Sequence, residues 1–313
     1  MKNFSNKTVF ITGGTGFIGT YMIMALLKQN ATIICYGRNV SKIKEKFGDS
    51  VIAASDFNYT GIDYVIHAAC PTQSSTLWQN PVEVIDTIYS LTKVSLDMAK
   101  KNHARYIFLS SMEVYDGLDG KIDETNTASF NLSNSRTSYP LGKQMAELMV
   151  NSYHTEYGVD TCVLRLSNIF GPGLPYEDNH LFNYLIKCCI ENRDIVLKTT
   201  GEKLHNSCYI NDAVNIIIKI LQTATNETYN ITNEDYCFSI NDLASKTIDI
   251  LASKSQVIHD IDDKYYPPAS KHIISGEKLQ KMFPTYKLET FENAIKNTAA
   301  YLRNIKSSHN FGS

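Results

Sequence analysis

The feature that most constrains the fold lies near the N-terminus, where a β-branched apolar run leads straight into a glycine-rich turn. Residues 8–12 are typical of a buried strand, and residues 17–28 are typical of an apolar helix. Gly13, Gly16 and Gly19 lie where the strand ends and the helix begins. Glycine permits a tight turn and a close backbone approach, and a helix N-terminus presents N–H groups to a pyrophosphate. This strand–turn–helix context predicts a dinucleotide cofactor far more strongly than the glycines would alone.

Strand and helix signals alternate through the first half of the chain. Further strands are predicted at residues 31–36, 51–55, 63–68, 106–110 and 161–166, and two long helices at residues 81–101 and 139–157. Continuous apolar strands that alternate with helices are typical of a parallel sheet covered on both faces. The first half therefore predicts an α/β fold with a Rossmann-like, doubly wound parallel sheet.

The pattern changes after Gly171-Pro172-Gly173, where a loop, a helix at residues 181–192 and several shorter elements follow. A helix at residues 211–221 is expected to return to the first domain. We predict a cofactor domain and a smaller, discontinuous C-terminal α/β cap that binds substrate. The cofactor domain would comprise residues 1–170 and about 205–235, and the cap residues 171–204 and 236–313.

Composition excludes several classes of protein. The chain has 313 residues and a net charge of −2, so a basic nucleic-acid footprint is not expected. No apolar run approaches the ~20 residues of a membrane span. Seven cysteines without a CxxC pair predict reduced thiols and a cytoplasmic protein. The eight histidines form no HxxxH or HxH arrangement, so no metal site is predicted.

The second informative feature is the pair Tyr139 and Lys143, four residues apart on a predicted helix. Residues at this spacing share a helix face, so the ammonium would lie beside the phenol. A free tyrosine titrates near ~10. A neighbouring cation favours the phenolate, which would give a base usable near neutral pH. Together with a cofactor turn, this pair predicts hydride-transfer chemistry.

The end of the second strand predicts which cofactor is bound. Enzymes that bind the ribose 2′-hydroxyl usually place an acidic residue there, about 20 residues after the glycines. In this chain the position is Gly37, and Arg38 follows. A guanidinium suits a 2′-phosphate, so NADP(H) is favoured over NAD(H), although Arg38 as an ordinary solvated loop cation stays open. Asp56 and Phe57, after the third strand, are further candidates for cofactor binding.

Six segments carry a family resemblance. They are TGGTGFIG (residues 12–19), HAA (67–69), LSSMEVY (109–115), YPLGK (139–143), RLSNIFGPG (165–173) and YIND (209–212). In this order they resemble the extended short-chain dehydrogenase/reductases, in particular the NAD(P)-dependent epimerase/dehydratase family that acts on nucleotide sugars. The resemblance runs from the glycine turn to about Asn233.

The resemblance implies a role for each matching residue. Tyr139 would exchange the proton of a sugar hydroxyl during hydride transfer, and Ser111 would hydrogen-bond that hydroxyl. Lys143 would lower the pKa of Tyr139 and hold the nicotinamide ribose. The cofactor-binding residues implied in the turn and after the fourth strand are Gly13, Thr15, Gly16, Phe17, Ile18, Gly19, Ala68 and Ala69.

Glu113 departs from the simplest family pattern. Members that dehydrate across C5–C6 read Thr-Asp-Glu at this place, GDP-mannose-type dehydratases and UDP-glucuronate decarboxylases read Thr-Ser-Glu, and simple 4-epimerases usually lack the Glu. This chain reads Ser111-Met112-Glu113, and a thioether cannot transfer a proton. Glu113 would either abstract a proton beside a 4-keto group or be a strand-end carboxylate without a catalytic role.

A second departure concerns substrate binding. The family often has an arginine before the Tyr-x-x-Asp segment, and this chain has His205 there. Arginine binds phosphate through two parallel N–H groups, and neutral histidine does not. Either Lys203 or another cation would substitute for the arginine, or the substrate would differ. This weakens a decarboxylase hypothesis. Asn168 is a candidate substrate contact, and the loops at residues 174–180 and 265–270 would shape the pocket.

Three functions follow from these observations. The leading hypothesis is an epimerase/dehydratase-type nucleotide-sugar enzyme that oxidises the sugar transiently at C4. Its first alternative is an NADPH-dependent 4-keto-sugar reductase, and a non-catalytic cofactor-binding scaffold or redox sensor is the alternative from another class. The resemblance also implies a homodimer in which the helices at residues 81–101 and 139–157 form a four-helix bundle.

Overall fold

The structure is a computed structural model that describes residues 4–71, 74–223, 226–262 and 271–310, without the side chains of residues 74–76 and 308–310. The predicted cap loop at residues 265–270 lies outside the described residues. The strands are β1 (Thr8–Thr12), β2 (Thr32–Tyr36), β3 (Ile52–Ala54), β4 (Tyr64–His67), β5 (Arg105–Ser111), β6 (Gly120–Ile122), β7 (Thr161–Leu166), β8 (Asn168–Phe170), β9 (Ile195–Leu197), β10 (Leu204–Tyr209), β11 (Thr228–Ile231), β12 (Asn233–Ser239), β13 (Val257–His259) and β14 (His272–Ile274). The α-helices are α1 (Phe17–Leu27), α2 (Val40–Phe47), α3 (Ser74–Gln79), α4 (Pro81–Asn102), α5 (Ser138–Tyr157), α6 (Leu181–Glu191), α7 (Ile210–Leu221), α8 (Ile240–Leu251), α9 (Glu277–Met282) and α10 (Phe291–Asn310).

The chain divides into two compact units. The first consists of Met1–Gly117, Glu124–Leu166 and Val214–Ile231, and the second of Leu118–Asp123, Ser167–Ala213 and Thr232–Ser313. These boundaries differ from the predicted ones, because β6 pairs with β14, and β10 pairs with β8 and β12. Residues 118–123 and 205–213 therefore belong to the second unit. That one unit binds cofactor and the other substrate stays a prediction.

A seven-stranded sheet in the order β11-β7-β5-β4-β1-β2-β3 forms the centre of the first unit. Every neighbouring pair is parallel, which confirms the predicted fold class. From β1 the chain first extends the sheet through β2 and β3, then crosses to β4 on the other side of β1. The strand order thus reverses between β1 and β4, and α/β sheets bind ligands outside the carboxyl ends of the strands at such a point.

Burial explains why these segments form strands. Val9, Phe10 and Ile11 of β1 are fully buried, as are Val65 and Ile66 of β4. Such runs without polar alternation suit strands that are covered on both faces.

Helices α4 and α5 pack against each other in the first unit. Pro81 occupies the first turn of α4, where its missing N–H removes no helical hydrogen bond. Gly142 of α5 allows the close approach, because a Cβ there would lie 2.9 Å from Ile88 Cδ1. Gly158, in the left-handed conformation with φ +68°, ends α5.

The second unit contains the three-stranded sheet β12-β10-β8 and the pairs β13–β9 and β14–β6. Helices α6, α8 and α10 pack together beside them. Aromatic rings fill this core: Phe170 stacks on Phe182 with centroids 3.7 Å apart, and Phe291 lies edge-on to Tyr236 at 5.2 Å.

Three features of the described residues bear on the class of protein. None of their helices is long and apolar enough to cross a membrane. They contain no cluster of three or more His, Cys, Asp or Glu side chains arranged to hold a metal ion. Seven cysteines are free thiols, five of them buried.

Candidate active site

The glycine turn forms a close cradle at the carboxyl end of β1. Gly13 has φ +72°, and a Cβ there would lie 2.7 Å from the backbone nitrogen of Ala69. A Cβ on Gly19 would lie 2.2 Å from the carbonyl oxygen of Gly13. Both positions therefore require glycine. Gly16 is the N-cap of α1 and has no side chain to cap it, so the first N–H groups of the helix remain suited to an anion. The cradle fits a pyrophosphate.

The other predicted residues of this segment lie on the turn and the first helical residues. Thr15 is partly exposed, and its carbonyl oxygen accepts a hydrogen bond from Lys46 Nζ at 3.1 Å. Phe17 and Ile18 are partly exposed at the start of α1, and the Phe17 ring contacts Tyr21 edge-on at 5.8 Å. Lys46 thus places a cation from α2 on the cofactor turn.

Thr12 and His67 join the glycine turn to the end of β4. The Thr12 hydroxyl accepts from the N–H of Ala69 at 3.1 Å and contacts His67 Nδ1 at 2.7 Å. His67 Nε2 contacts the Thr92 hydroxyl at 3.2 Å. Burial, and then the charge of Lys143, lower the pKa of His67 to about 3, so it is neutral near pH 7. His67 therefore holds the predicted segment of Ala68 and Ala69 in place.

The end of β2 carries the residues predicted to select the cofactor. Arg38 is exposed, and Asn39 caps α2 by accepting from the N–H of Lys42 at 3.0 Å. Phe57 and Tyr36 form an aromatic pair with ring centroids 4.4 Å apart.

Asp56 directly precedes Phe57 and is exposed. Its carboxylate accepts from the N–H of Asn58 at 2.8 Å, which closes a local turn.

Tyr139 is buried in the first turn of α5, with 6% of its surface exposed. Burial raises its pKa well above the ordinary value, and Cys70 and Glu113 raise it further. A side-chain hydrogen bond with Ser111 and the charge of Arg136 act in the opposite direction. Ser111 ends β5, so this contact joins the two residues predicted to handle the substrate hydroxyl.

Lys143 makes buried contacts with β5. It is 3% exposed, its ammonium donates to the carbonyl oxygen of Leu109 at 2.8 Å, and it lies 4.7 Å from the centre of the Phe108 ring. The distance from Lys143 Nζ to the centre of the Tyr139 ring is 5.9 Å. Burial is the largest influence on the pKa of Tyr139 here, and the role of Lys143 in lowering that pKa stays a prediction.

Glu113 lies in the 3₁₀ helix Met112–Tyr115 that follows β5. Its N–H donates to the Ser111 hydroxyl at 3.2 Å, and its Oε2 accepts from Arg136 Nη2 at 2.8 Å. Because it raises the pKa of both Tyr139 and Cys70, its carboxylate is within electrostatic reach of both groups. Whether Glu113 has a catalytic role stays a prediction, and its electrostatic influence on Tyr139 is the observation that bears on it.

Sequence reasoning missed Cys70, which connects the two halves of the site. It directly follows Ala69, which contacts Gly13 across the cofactor turn. Burial raises the pKa of the Cys70 thiol, while a hydrogen bond and the charge of Lys143 lower it. The loop after β4 therefore touches both the glycine turn and the acid/base cluster. Its position immediately after the HAA segment was the available signal.

A buried polar network holds α5 behind the cluster. Glu147 accepts from Arg165 Nη2 at 2.7 Å and from the Ser110 hydroxyl at 2.6 Å. Arg165 Nη1 also donates to the Tyr115 hydroxyl at 2.7 Å, which in turn donates to the Asn230 side chain at 2.8 Å. Strands β5, β7 and β11 are thereby joined to the helix that carries Tyr139 and Lys143.

The two predicted substrate-binding residues lie in the second unit. His205 on β10 packs edge-on against the Phe182 ring at 5.6 Å, and its Nδ1 has no hydrogen-bond partner among the described residues. Burial, with a smaller contribution from Lys203, lowers the pKa of His205 to about 4. His205 therefore presents no positive charge near pH 7. Asn168 Nδ2 donates to the carbonyl oxygen of Asn206 at 2.9 Å.

Residues 9–232 match the NAD dependent epimerase/dehydratase family. The chain belongs to this family. The match spans the glycine turn, the Ser111, Tyr139 and Lys143 cluster and the RLSNIFGPG segment. It confirms the predicted resemblance and enzyme class, and with it dependence on a nicotinamide cofactor.

Two curated relatives are each 25% identical to this chain over the matched residues. UDP-glucuronic acid decarboxylase 6 of Arabidopsis thaliana is 25% identical over 240 residues, which cover 73% of this chain and 70% of the relative. UDP-N-acetyl-alpha-D-glucosaminuronate decarboxylase of Bacillus cytotoxicus is 25% identical over 323 residues, which cover 96% and 99%.

Solved structures confirm the fold. UDP-glucose 4-epimerase of Thermotoga maritima, solved with UDP-glucose, has a TM-score of 0.82 at 19% identity and covers 95% of this chain and 99% of its own. UDP-glucuronic acid 4-epimerase of Bacillus cereus, solved with UDP-glucuronic acid and NAD, has a TM-score of 0.80 at 20% identity with the same coverages.

Proposed function

We propose that this enzyme modifies a nucleotide sugar by oxidising it transiently at C4 and then returning the hydride. The observation that carries the proposal is the loop after β4, where Ala69 contacts the glycine turn and Cys70 contacts Lys143. A turn suited to a dinucleotide pyrophosphate is thereby joined to the Ser111 and Tyr139 pair. Relatives and solved neighbours named for reactions of UDP-sugars support a nucleotide-sugar substrate.

The side chains divide the work of the oxidation. The C4–H bond breaks with its electron pair while the hydroxyl proton passes to Tyr139, and Ser111 hydrogen-bonds the same oxygen. A bound oxidised nicotinamide supplies the hydride acceptor, and its positive charge favours the phenolate that burial disfavours. Lys143 and the residues of the glycine turn would hold this cofactor. Placing donor and acceptor together replaces an encounter in solution by an oriented reaction.

Glu113 extends the proposal to the carbon next to C4. Once C4 is a ketone, the protons on its neighbours become acidic, and a carboxylate beside Tyr139 can exchange one of them. This favours an elimination that begins with proton removal at C5 over a plain 4-epimerisation. Neutral His205, in place of an arginine, opposes a sugar acid as the substrate.

The preference for NADP(H) is a finer part of the proposal. Gly37 leaves no acid at the end of β2 to bind a ribose 2′-hydroxyl, and Arg38 is exposed there. Lys46 adds a second cation by its hydrogen bond to Thr15. We expect Arg38→Ala to weaken NADP⁺ more than NAD⁺ and Gly37→Asp to reverse the preference, measured by isothermal titration calorimetry. A wild-type protein that binds NAD⁺ more tightly than NADP⁺ would contradict this part alone.

A homodimer through α4 and α5 is the proposed assembly. Val82, Ile85 and Tyr89 share a face of α4 at the spacing of a helix and are 78%, 49% and 47% exposed. Leu148 on α5 is 66% exposed. Apolar side chains on two adjacent helices suit a self-complementary contact with a second copy.

The function is tested by incubating the protein with a panel of UDP-, GDP- and dTDP-sugars, some in 4-keto form, and following product mass and NADPH consumption. Conversion with trace cofactor supports the closed cycle; an unchanged mass identifies an epimerase, loss of water a dehydratase and loss of carbon dioxide a decarboxylase. NADPH loss in step with a product that gains two hydrogens identifies the 4-keto reductase, which the Arg38 position favours.

A second test uses the variant Tyr139→Phe, which should bind cofactor and lose turnover. If Tyr139→Phe retains full biological activity, the protein is a scaffold.

A further inference from the structure

Two short turns carry opposite charges beside Tyr139. Glu113 lies in the 3₁₀ helix Met112–Tyr115 after β5, and Arg136 in the 3₁₀ helix Ser135–Thr137 before α5. Arg136 Nη2 donates to Glu113 Oε2 at 2.8 Å, and the two side chains are only 26% and 27% exposed. The ion pair thus bridges the turn after Ser111 and the turn before Tyr139.

Glu113 is held at two points by this arrangement. Its backbone N–H donates to the Ser111 hydroxyl at 3.2 Å, and its carboxylate accepts from Arg136. The backbone of the Arg136 turn is itself fixed, because the Arg136 N–H donates to the Asn134 side chain at 3.0 Å and the Thr137 hydroxyl donates to the Asn134 carbonyl at 2.6 Å. The direction of the Glu113 carboxylate is therefore set by two turns, one that follows Ser111 and one that precedes Tyr139 in the chain.

Both charges act on Tyr139, and with opposite sign. Glu113 raises the pKa of Tyr139 and Arg136 lowers it, so each lies within electrostatic reach of the phenol. A fully solvated surface pair would contribute little to stability or to a neighbouring group. This pair is partly shielded from water, where charge-assisted hydrogen bonds are stronger.

We propose that Arg136 is a positioning residue that holds Glu113 as the acid/base group for the carbon next to the one that Tyr139 oxidises. This inference rests on the proposed function. With C4 as a ketone, the C5–H bond breaks, its electron pair enters the enolate and its proton bonds to the Glu113 carboxylate. Re-formation of the C5–H bond returns the proton. The guanidinium is a permanent cation and keeps the carboxylate in one orientation between turnovers.

The experiment separates the two partial reactions in deuterated water. A panel of UDP-glucose, UDP-glucuronate and GDP-mannose serves as probes. The absorbance of reduced nicotinamide reports oxidation at C4, and nuclear magnetic resonance of the recovered sugar reports deuterium at C5. The variants are Arg136→Met, Arg136→Lys, Glu113→Gln and the double variant with Arg136→Met and Glu113→Gln. Arg193→Met is the matched control, because Arg193 pairs with Glu191 at 3.2 Å on the surface of the second unit.

We expect Arg136→Met to lower the ratio of C5 exchange to cofactor reduction on the order of 10- to 100-fold, as small misplacements of a reacting group do. Arg136→Lys should recover part of this ratio, and the double variant should be no worse than Glu113→Gln, because the two residues act as one unit. Arg193→Met should leave both rates at the wild-type value.

The other possible outcomes contradict either the role of Arg136 or the proposed function. Equal losses of both partial reactions in Arg136→Met and Arg136→Lys would show a structural role, and wild-type rates of both partial reactions in Arg136→Met would show no role. Cofactor reduction without C5 exchange in the wild type overturns this inference and leaves the proposed function standing. If no sugar reduces the cofactor in the wild type, the proposed function falls and this inference with it.

Discussion

The guanidinium of Arg165 and the carboxylate of Glu147 are joined by several hydrogen bonds inside the first unit. Arg165 Nη2 donates to Glu147 Oε2 at 2.7 Å, and Arg165 Nε lies 3.1 Å from both carboxylate oxygens. The side chains are only 12% and 9% exposed. Glu147 lies one helical turn beyond Lys143, so the pair fixes the helix that carries Tyr139 and Lys143 to β7.

Removing one partner of this pair is expected to destabilise the protein strongly. Glu147→Ala leaves the Arg165 guanidinium buried without its main acceptor, and breaking such pairs costs about 3–5 kcal/mol. Urea unfolding followed by circular dichroism measures the free energy of unfolding. The double variant Glu147→Met/Arg165→Met removes both charges and should lose less than the sum of the single variants. Strict additivity would contradict the role given to the pair.

Much of the fold follows from local sequence patterns. The predicted strand at residues 8–12 matches β1, and the predicted helix at residues 81–101 matches α4 to within one residue, because glycine and proline mark their ends. The pairing of β6 with β14 was not predictable. These strands have three residues each and lie about 150 residues apart, so no local periodicity predicts that they meet.

The site was predictable where it depends on motifs and not where it depends on tertiary contacts. Spacing placed Tyr139 and Lys143 on one helix, but it cannot tell whether the ammonium faces the phenol or the carbonyl of Leu109. Arg136 was missed because a cation in a polar loop carries no signal of its own. Its partner Glu113 lies 23 residues earlier, and only the folded chain brings them together.

Gly16 and Gly19 of the cofactor turn should differ in their tolerance of a methyl group. A Cβ on Gly19 would lie 2.2 Å from the Gly13 carbonyl oxygen, whereas a Cβ on Gly16 would lie 3.2 Å from the same atom. Gly19→Ala should therefore lower the free energy of unfolding by about 1–3 kcal/mol. Gly16→Ala should lower it by less than about 1 kcal/mol, because its backbone angles suit alanine. Chemical unfolding of both variants checks this, and equal losses would contradict the close approach at Gly19.

Single charges on α4 or α5 should dissociate the proposed dimer. Leu148→Glu and Ile85→Glu replace exposed apolar side chains, and burying a glutamate in the contact would be unfavourable. Size-exclusion chromatography with light scattering at micromolar concentration should give a dimer for the wild type and a monomer for each variant. Leu132→Glu is the matched control, because Leu132 is 81% exposed and lies outside both helices. A monomeric wild type, or a dimer that survives both substitutions, rejects this surface as the interface.

His67 should make the protein less stable as the pH falls. Burial lowers its pKa in the folded state to about 3, against an ordinary value of about 6.5 in the unfolded chain. Between these two values the unfolded state binds a proton that the folded state does not, so the free energy of unfolding decreases by about 1.4 kcal/mol for each pH unit of acidification. Above about pH 6.5 the histidine contributes no pH dependence, since it is neutral in both states.

The variant His67→Gln removes this titratable group while keeping a polar side chain between Thr12 and Thr92. Urea unfolding between pH 4.5 and pH 7.5 should therefore show a slope about 1.4 kcal/mol per pH unit shallower in the variant below pH 6, and identical slopes would mean that His67 titrates normally in the folded protein.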